Sequence, residues 1–301
     1  MMHSALILRA QVVQAIRQFF VERGFLEVET PLLIPANAPE DYIDPIAALP
    51  SWQLQTSPEI CMKRLLCRGH QRIFQISHCW RADERGSRHL SEFTMLEWYR
   101  ADADYHDLME DCIGLLRQVA QQCTADGNFT RFGKKIDPKP EWKHISVQEA
   151  FLHFAQADAL VSAENDLFDE LLVSRIEPAL ENIPVPVVMT DYPAQLAALS
   201  RTKVDDPRFA ERFELYLAGL ELANGFSELN NPQEQRARFV ETNRRRAAAG
   251  RSTLPLPERF LNELSAMPPS AGIALGVDRL VMLVAGLDSI DDVVAFRPEE
   301  L

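Results

Sequence analysis

A mixed α/β domain, built on a mainly antiparallel sheet flanked by helices, is the fold this sequence predicts. Two strand pairs and the helical segments between them carry the expectation. Residues 92–100, EFTMLEWYR, alternate over nine positions and follow the strand-like RIFQIS of 72–77 across a charged loop, as in a long antiparallel hairpin. Residues 212–229, RFELYLAGLELANGFSEL, read as a second strand pair.

Taken in order, Leu6, Ala10, Val13, Ile16 and Phe20 keep helical spacing over 4–23, and Gly24 stands where a C-terminal cap belongs. FLEVETP then alternates as a strand until Pro31 stops it. Residues 35–50, with four prolines, read as a loop leading to the short strand WQLQT. Ser57-Pro58-Glu59 has a helix-start pattern: a capping serine, a proline in the first turn and an acid near the positive end of the dipole. A helix is expected over about 105–122, a polar surface excursion over 124–142, helix over 146–182 and a short strand within 184–193. The segment 231–249 reads as a helix stopped by Gly250, its Arg244-Arg245-Arg246 run as a solvated face. No internal repeat or low-complexity segment interrupts the chain.

Composition bounds the function. The 301 residues are 47% hydrophobic and 25% charged, which suits a folded domain, and a net charge of −13 gives no global field toward nucleic acid or an anionic membrane. No apolar run reaches membrane-spanning length. Five cysteines without a C-x-x-C pair suit reduced thiols, so a cytoplasmic protein is expected.

Three constellations could carry chemistry. In ELANGFSEL, an Asn224-Gly225 hairpin turn would set Glu221 opposite Glu228, and two facing carboxylates ask for a cation such as Mg2+. The loop after RIFQIS carries Arg81, Arg85, Arg88 and His89 ahead of Glu92-Phe93, suited to clamping phosphates and stacking a purine. In AGIALGVDRLVMLVAG, Asp278 and Arg279 interrupt an apolar run; an arginine at a helix start opposes the dipole and asks for a buried negative partner. Gly272 and Gly276 would let backbone approach that ligand. Each feature alone also fits a solvated hairpin or a packed core.

Together they resemble one set. Helix-Gly24-strand-Pro31 is similar to motif 1 of the class II aminoacyl-tRNA synthetases, FQISHCWRADERGSRHLSEFTMLEWYR to motif 2, and GIALGVDRLVML to motif 3. TSPEICMKRLL, EFTMLEWYR and GLELANGFSELNNPQEQ narrow the resemblance to the lysyl branch over nearly the whole chain. Motif 1 begins at once, without an anticodon-binding barrel before it, which resembles the elongation factor P–(R)-β-lysine ligase family. The resemblance implies a single catalytic domain over 1–301, a homodimer through motif 1, ATP and Mg2+, (R)-β-lysine as substrate, elongation factor P as acceptor, and no tRNA or membrane partner. By position it implies ATP contacts at Arg81, Ala82, Asp83, Phe93, Glu221, Leu222, Gly276 and Arg279, with Arg81, Arg279 and Glu221 in catalysis. Glu221 and Glu228 would hold metal, and Ser57, Pro58, Glu59, Glu97, Tyr99, Glu228 and Ala274 would hold the amino acid.

Two departures stand out. Arg81-Ala82-Asp83 replaces the family's usual Arg-Asn-Glu, and His89-Leu90-Ser91-Glu92 replaces His-Asn-Pro-Glu. Asp83 is shorter than Glu, and Leu90 offers no hydrogen bond to a nucleotide. At Ala274 the lysyl-tRNA synthetases have glycine and the β-lysine ligases alanine. Two other readings stay open: a truncated lysyl-tRNA synthetase-like enzyme for α-lysine, and a catalytically silent regulatory paralogue.

Overall fold

The computed structural model describes residues 2–301. Helix α1 (Met2–Glu22) buries Val12, Ala15, Ile16, Phe19 and Phe20 on one face, and Gly24, at φ +74°, ends it by reversing the chain. Strand β1 is only Leu26–Glu27, shorter than the alternation over 25–30 suggests. Val28 N–H still donates to Phe74 O (2.9 Å), but Thr30 N–H turns to the Gln75 side chain (3.1 Å), so the ladder ends ahead of Pro31.

The other main elements are α2 (Glu59–Cys67), β2 (Arg72–Trp80), β3 (Glu92–Ala101), α3 (Tyr105–Cys123), β4 (Lys143–Ser146), β5 (Val187–Pro193), β6 (Phe209–Leu217), β7 (Leu220–Ser227), α4 (Pro232–Ala248), β8 (Ser270–Gly276) and α5 (Val277–Ala285). Eight strands form one sheet in the order β1-β2-β3-β8-β7-β6-β5-β4, parallel only in the outer pairs β1/β2 and β4/β5. Leu33–Ile34, Ala47–Leu49 and Trp52–Leu54 form a small sheet; Trp52–Leu54 is the short strand expected at WQLQT, and only Ala47–Leu49 lies in the segment expected as loop.

Strand alternation divides the large sheet into two faces. Leu96 and Trp98 of β3, Ile273 and Leu275 of β8, and Phe213 and Leu215 of β6 join the core with α1, α3 and α5. Phe20 stacks on Phe74 at 4.8 Å and contacts Trp98 at 5.1 Å, fastening α1 to this face. Helix α3 starts with a reciprocal cap between Asp104 and Asp107. Glu97, Tyr99, Gly272, Ala274, Asn224 and Phe226 occupy the alternate positions, on the opposite face.

Four sequence expectations change. The turn of the second hairpin is Ala218-Gly219, both at positive φ, with Leu217 opposite Leu220; Asn224 and Gly225 lie inside β7. Gly225 is there because an added Cβ would stand 2.8 Å from the Phe213 ring and 3.0 Å from Ile273, not because the chain turns. Residues 146–182 form several short helical pieces, two of them π-helical at Phe151–Ala155 and Leu172–Ile176. The polar stretch 124–142 contains a hairpin of Phe129–Arg131 and Lys134–Ile136, whose Phe129 and Ile136 are buried together with Trp142. Arg246 is not on a solvated face: it shares the buried side of α4 with Gln235, Phe239 and Thr242.

Candidate active site

Glu221 does not face Glu228 across a turn. It pairs with Tyr216, and the register passes from Leu215↔Ala223 to Tyr216↔Glu221, so Leu222 is an extra residue in the strand. Such a bulge resets the alternation, placing Glu221 on the same face as Asn224 and Phe226. Glu221 and Glu228 lie seven residues apart along one strand, a spacing of about 20 Å, too far to share one ion. The expectation of a metal held between them is thereby corrected. Among the described residues, no group of three or more His, Cys, Asp or Glu side chains is arranged to hold a metal.

Glu221 instead lines a cavity of about 220 Å3 with Arg81, Phe93, Leu222, Asn224, Ala274, Gly276 and Arg279. Arg279, in the first turn of α5, has a half-buried negative partner: Nη1 donates to the Glu221 carbonyl (2.7 Å) and to Oε2 (3.2 Å). Its Nη2 lies 2.6 Å from His89 Nε2. Burial raises the Glu221 pKa, but the Arg279 charge and hydrogen bond, with Arg212 and Arg81 beyond, outweigh it and hold the carboxyl below its ordinary range. Burial and the Arg279 charge both lower the His89 pKa, favouring neutral imidazole. Asp278 also borders the cavity but is buried and its carboxylate is taken up, accepting from Arg9 of α1 (2.5 Å) and from Thr94 N–H (2.7 Å). The pair set in the apolar run thus splits its tasks: Asp278 ties the floor to α1, and Arg279 faces the cavity.

Motif 2 differs from its expectation by one residue. Asp83 is exposed and at φ +60°, and neither it nor Ala82 lines the cavity. The Ala82 N–H is used by Asp44 O (2.8 Å). The acid that reaches the cavity is Glu84, 3.7 Å from Arg81. Arg81 stacks over the Phe93 ring at 5.1 Å, and its Nε is buried without a partner. Leu90 is buried in the cavity wall, a hydrophobic surface where the family has a polar side chain.

A second, more enclosed set adjoins this cavity across Ala274. In register, Ala274 stands between Glu97 of β3 and Asn224 of β7, and Gly272 between Tyr99 and Phe226. Glu97 accepts from Ser57 Oγ (2.5 Å) and Tyr99 Oη (2.8 Å), and Ser57 Oγ also accepts from Glu59 N–H (3.0 Å). Pro58 is the N-cap of α2 and sets that turn. An added Cβ at Gly272 would overlap both the Tyr99 ring and the Glu228 carboxylate, so this glycine is fixed by close approach. At Gly276 the nearest atom would be Arg279 Cδ at 3.5 Å, an ordinary contact.

The residue missed from the sequence is Lys63. Its ammonium is fully buried, paired with Glu59 one helical turn earlier and 2.5 Å from Glu228 Oε2. That approach is an ion pair without hydrogen-bond alignment, and Glu228 Oε1 has no polar partner. Burial depresses the Lys63 pKa, but the charges of Glu228 and Glu59 more than reverse this. Burial raises Glu97 to about 8, with Glu59 adding to the shift and the Ser57 and Tyr99 hydrogen bonds opposing it. Burial also raises Glu228 to about 8, with Lys63 opposing and Glu59 and Glu97 reinforcing. The compartment is short of positive charge. The i, i+4 spacing of Glu59 and Lys63 on α2 was the available signal.

An arginine-lined cavity and a carboxylate pocket, joined on the open face of an antiparallel sheet, define the architecture that the family comparison identifies. The model for class II tRNA synthetases (D, K and N) matches residues 1–300, and the chain belongs to that family. Within it, the chain is 41% identical to a protein of Erwinia tasmaniensis named "Elongation factor P–(R)-beta-lysine ligase", over 97% of this chain and 94% of the relative. It is 38% identical to a protein of the same name from Proteus mirabilis, over 97% and 94% of the two chains. A Vibrio cholerae protein, again of that name, is 39% identical over 96% and 93%.

Proposed function

We propose that this chain is an ATP-dependent ligase that activates (R)-β-lysine as its adenylate and transfers it to a lysine side chain of elongation factor P. The observation that carries this reading is the junction at Ala274, where the cavity containing Arg81, Arg279 and Glu221 meets a pocket rich in buried carboxylates. The names and coverage of the relatives support it.

In this reading Arg81 and Arg279 bind phosphate oxygens, and Phe93 offers its ring to the base. Glu97 and the unpartnered Oε1 of Glu228 receive the substrate ammonium groups, while Lys63 holds Glu59 and Glu228 in place. The amino-acid carboxylate attacks the α-phosphorus, pyrophosphate leaves, and the two guanidiniums offset charge developing on the phosphoryl oxygens. Fixed arginines aimed at a developing charge act without reorganising solvent. Magnesium would find oxygen ligands in the Glu221 carboxylate and the Asn224 amide, which line the same cavity; when bound it neutralises phosphate charge. The mixed anhydride is then attacked by the acceptor amine to give an amide.

A homodimer in the cytoplasm, each chain a single catalytic domain, belongs to the same proposal. Exposed Val21, Leu26, Leu32, Leu49 and Trp52, from the segments around motif 1, support an apolar interface. No described helix is long and apolar enough to cross a membrane.

Intact-mass analysis of elongation factor P after incubation with this protein, ATP and each lysine isomer tests the reading. A mass increase of one lysyl group, larger with (R)-β-lysine than with α-lysine, is expected. ATP-pyrophosphate exchange run beside it separates activation from transfer, and exchange with neither isomer would refute the enzyme reading altogether.

A further inference from the structure

Four acids line the cavity, and three of them are engaged: Glu84 by Arg81, Glu221 by Arg279, and Asp278 by Arg9 and Thr94. The fourth is Glu40. Among the described residues its carboxylate has no hydrogen bond or ion pair, although its backbone is firmly held. Arg246 Nη1 donates to the carbonyls of Glu40 (2.7 Å), Asp41 (3.3 Å) and Ile43 (3.2 Å), and its Nη2 pairs with Asp44. Arg245 clasps Asp41 through two hydrogen bonds of 2.9 and 2.7 Å, and Arg251 holds Asp44 (2.7 Å). The arginine run of α4 therefore anchors a loop whose one free carboxylate lines the cavity that holds Arg81.

A rigid loop presenting an unused carboxylate beside the phosphate-binding arginine suits a group that acts on a reactant arriving late. The acceptor in the second half-reaction is such a reactant. A lysine side chain arrives as an ammonium, which has no lone pair to attack with. We propose that Glu40 is the general base of the transfer step, taking the proton from the acceptor ammonium where it enters the cavity that Glu40 lines; this rests on the ligase reading above.

The step balances without a further reactant. The acceptor ammonium passes a proton to the Glu40 carboxylate and becomes a free amine. Its lone pair adds to the anhydride carbonyl carbon, forming the C–N bond. The tetrahedral intermediate collapses, the bond from that carbon to the phosphate oxygen breaks, and AMP leaves with that electron pair. The remaining extra proton on nitrogen goes to the departing phosphate or to water.

The groups facing Glu40 agree with this task. Burial raises its pKa most; Arg81 and Arg212 oppose, and Glu59 and Asp41 add, with the result near 7. A carboxylate there is about half ionised near pH 7, mostly ionised above it, and is a stronger base than an exposed one. Glu84 and His89 share the cavity, but Glu84 is committed to Arg81, and the imidazole of His89 lies against Arg279.

The test reads each half-reaction separately. Enzyme carrying preformed β-lysyl-adenylate is mixed with Nα-acetyllysine amide, and aminolysis is followed over a single turnover from about pH 6 to 9. ATP-pyrophosphate exchange is measured on the same preparations, and elongation factor P is run as a parallel acceptor. For Glu40→Gln, aminolysis near pH 7 should fall about 100-fold, while exchange falls by no more than severalfold. The wild-type rate should titrate near pH 7 and then level; the variant's should keep rising with pH as free amine accumulates. Glu40→Asp should recover part of the rate. Equal loss of exchange and aminolysis, aminolysis within threefold of wild type, or a surviving limb near pH 7 in Glu40→Gln would each overturn the assignment. Aminolysis of the small amine without transfer to elongation factor P would instead count against the proposed acceptor and leave the role of Glu40 supported.

Discussion

Replacing Lys63 with methionine should cost the protein about 3–5 kcal/mol of stability above pH 8, and far less near pH 6. The Lys63 and Glu228 side chains are both 0% exposed and 2.5 Å apart, with Glu59 on the other side of the ammonium. Removing one partner of a buried pair leaves the other charge uncompensated, which typically costs about 3–5 kcal/mol. A proton is the available escape. Glu228 and Glu97 have folded pKa values raised from 4.5 to about 8. Their protonated forms therefore stabilise the fold, fully below about pH 4.5 and progressively less as pH rises through 8. Such a shift corresponds to roughly 5 kcal/mol per carboxyl as an upper bound. Without Lys63, Glu228 holds its proton to still higher pH, so the variant's stability should fall more steeply in that range. Urea unfolding at a series of pH values measures this, and Lys63→Met combined with Glu228→Gln should recover most of the loss above pH 8. An equal loss at pH 6 and pH 9 would refute the electrostatic reasoning and leave only lost packing.

Three other outcomes are expected. Ala274→Gly should shift the ratio of β-lysine to α-lysine activation toward α-lysine in ATP-pyrophosphate exchange; an unchanged ratio would remove this explanation for the alanine. The amino-acid KM in the same assay should fall as pH rises from about 6.5 to 8, by up to about tenfold per pH step for each proton released, because Glu97 must ionise to bind an ammonium. Glu97→Gln should reduce that dependence to the single proton of Glu228, and a flat wild-type profile would contradict the role assigned to the carboxylate. Arg246→Ala, which removes a buried guanidinium from three half-buried carbonyls of the 40–44 loop, should lower stability by about 1–3 kcal/mol and increase hydrogen exchange in that loop; unchanged exchange there would mean the loop is held otherwise.

Much of the sheet was legible because strand period and burial agree. EFTMLEWYR alternates cleanly, and its odd positions 95, 97 and 99 all reach the site face while 96 and 98 reach the core. What escaped has a physical cause in each case. Asn-Gly is the strongest short hairpin signal, yet here Gly225 answers a crowded contact with Phe213, and the weaker Ala218-Gly219 makes the turn. No periodicity foretells the bulge at Leu222, and without it Glu221 falls on the wrong face. Asp83 and Glu84 are adjacent acids, and the left-handed backbone at Asp83 decides which one turns inward. Arg246 was recoverable: positions 235, 239, 242 and 246 repeat at helical spacing, but a triple arginine reads as solvent-facing when taken alone.

The charge count in the carboxylate pocket explains why a buried lysine belongs in a site proposed to bind lysine. Glu59, Glu97 and Glu228 set three carboxyls against one ammonium, so the fully ionised pocket carries two negative charges, an expensive state at this burial. In the empty protein, protons on Glu97 and Glu228 relieve it, as their raised pKa values express. Two substrate ammonium groups relieve it equally well and expel those protons. Without Lys63 the same three carboxyls would call for three positive charges, and a diamino acid would leave one unmatched. Lys63 therefore adjusts the pocket from three charges to two, which excludes monoamino acids more firmly than size could. The α and β isomers of lysine present the same total charge and differ only in where one ammonium lies. Discrimination between them falls to shape, and Ala274, whose methyl stands between Glu97 and Asn224 on the shared face, is where shape can act.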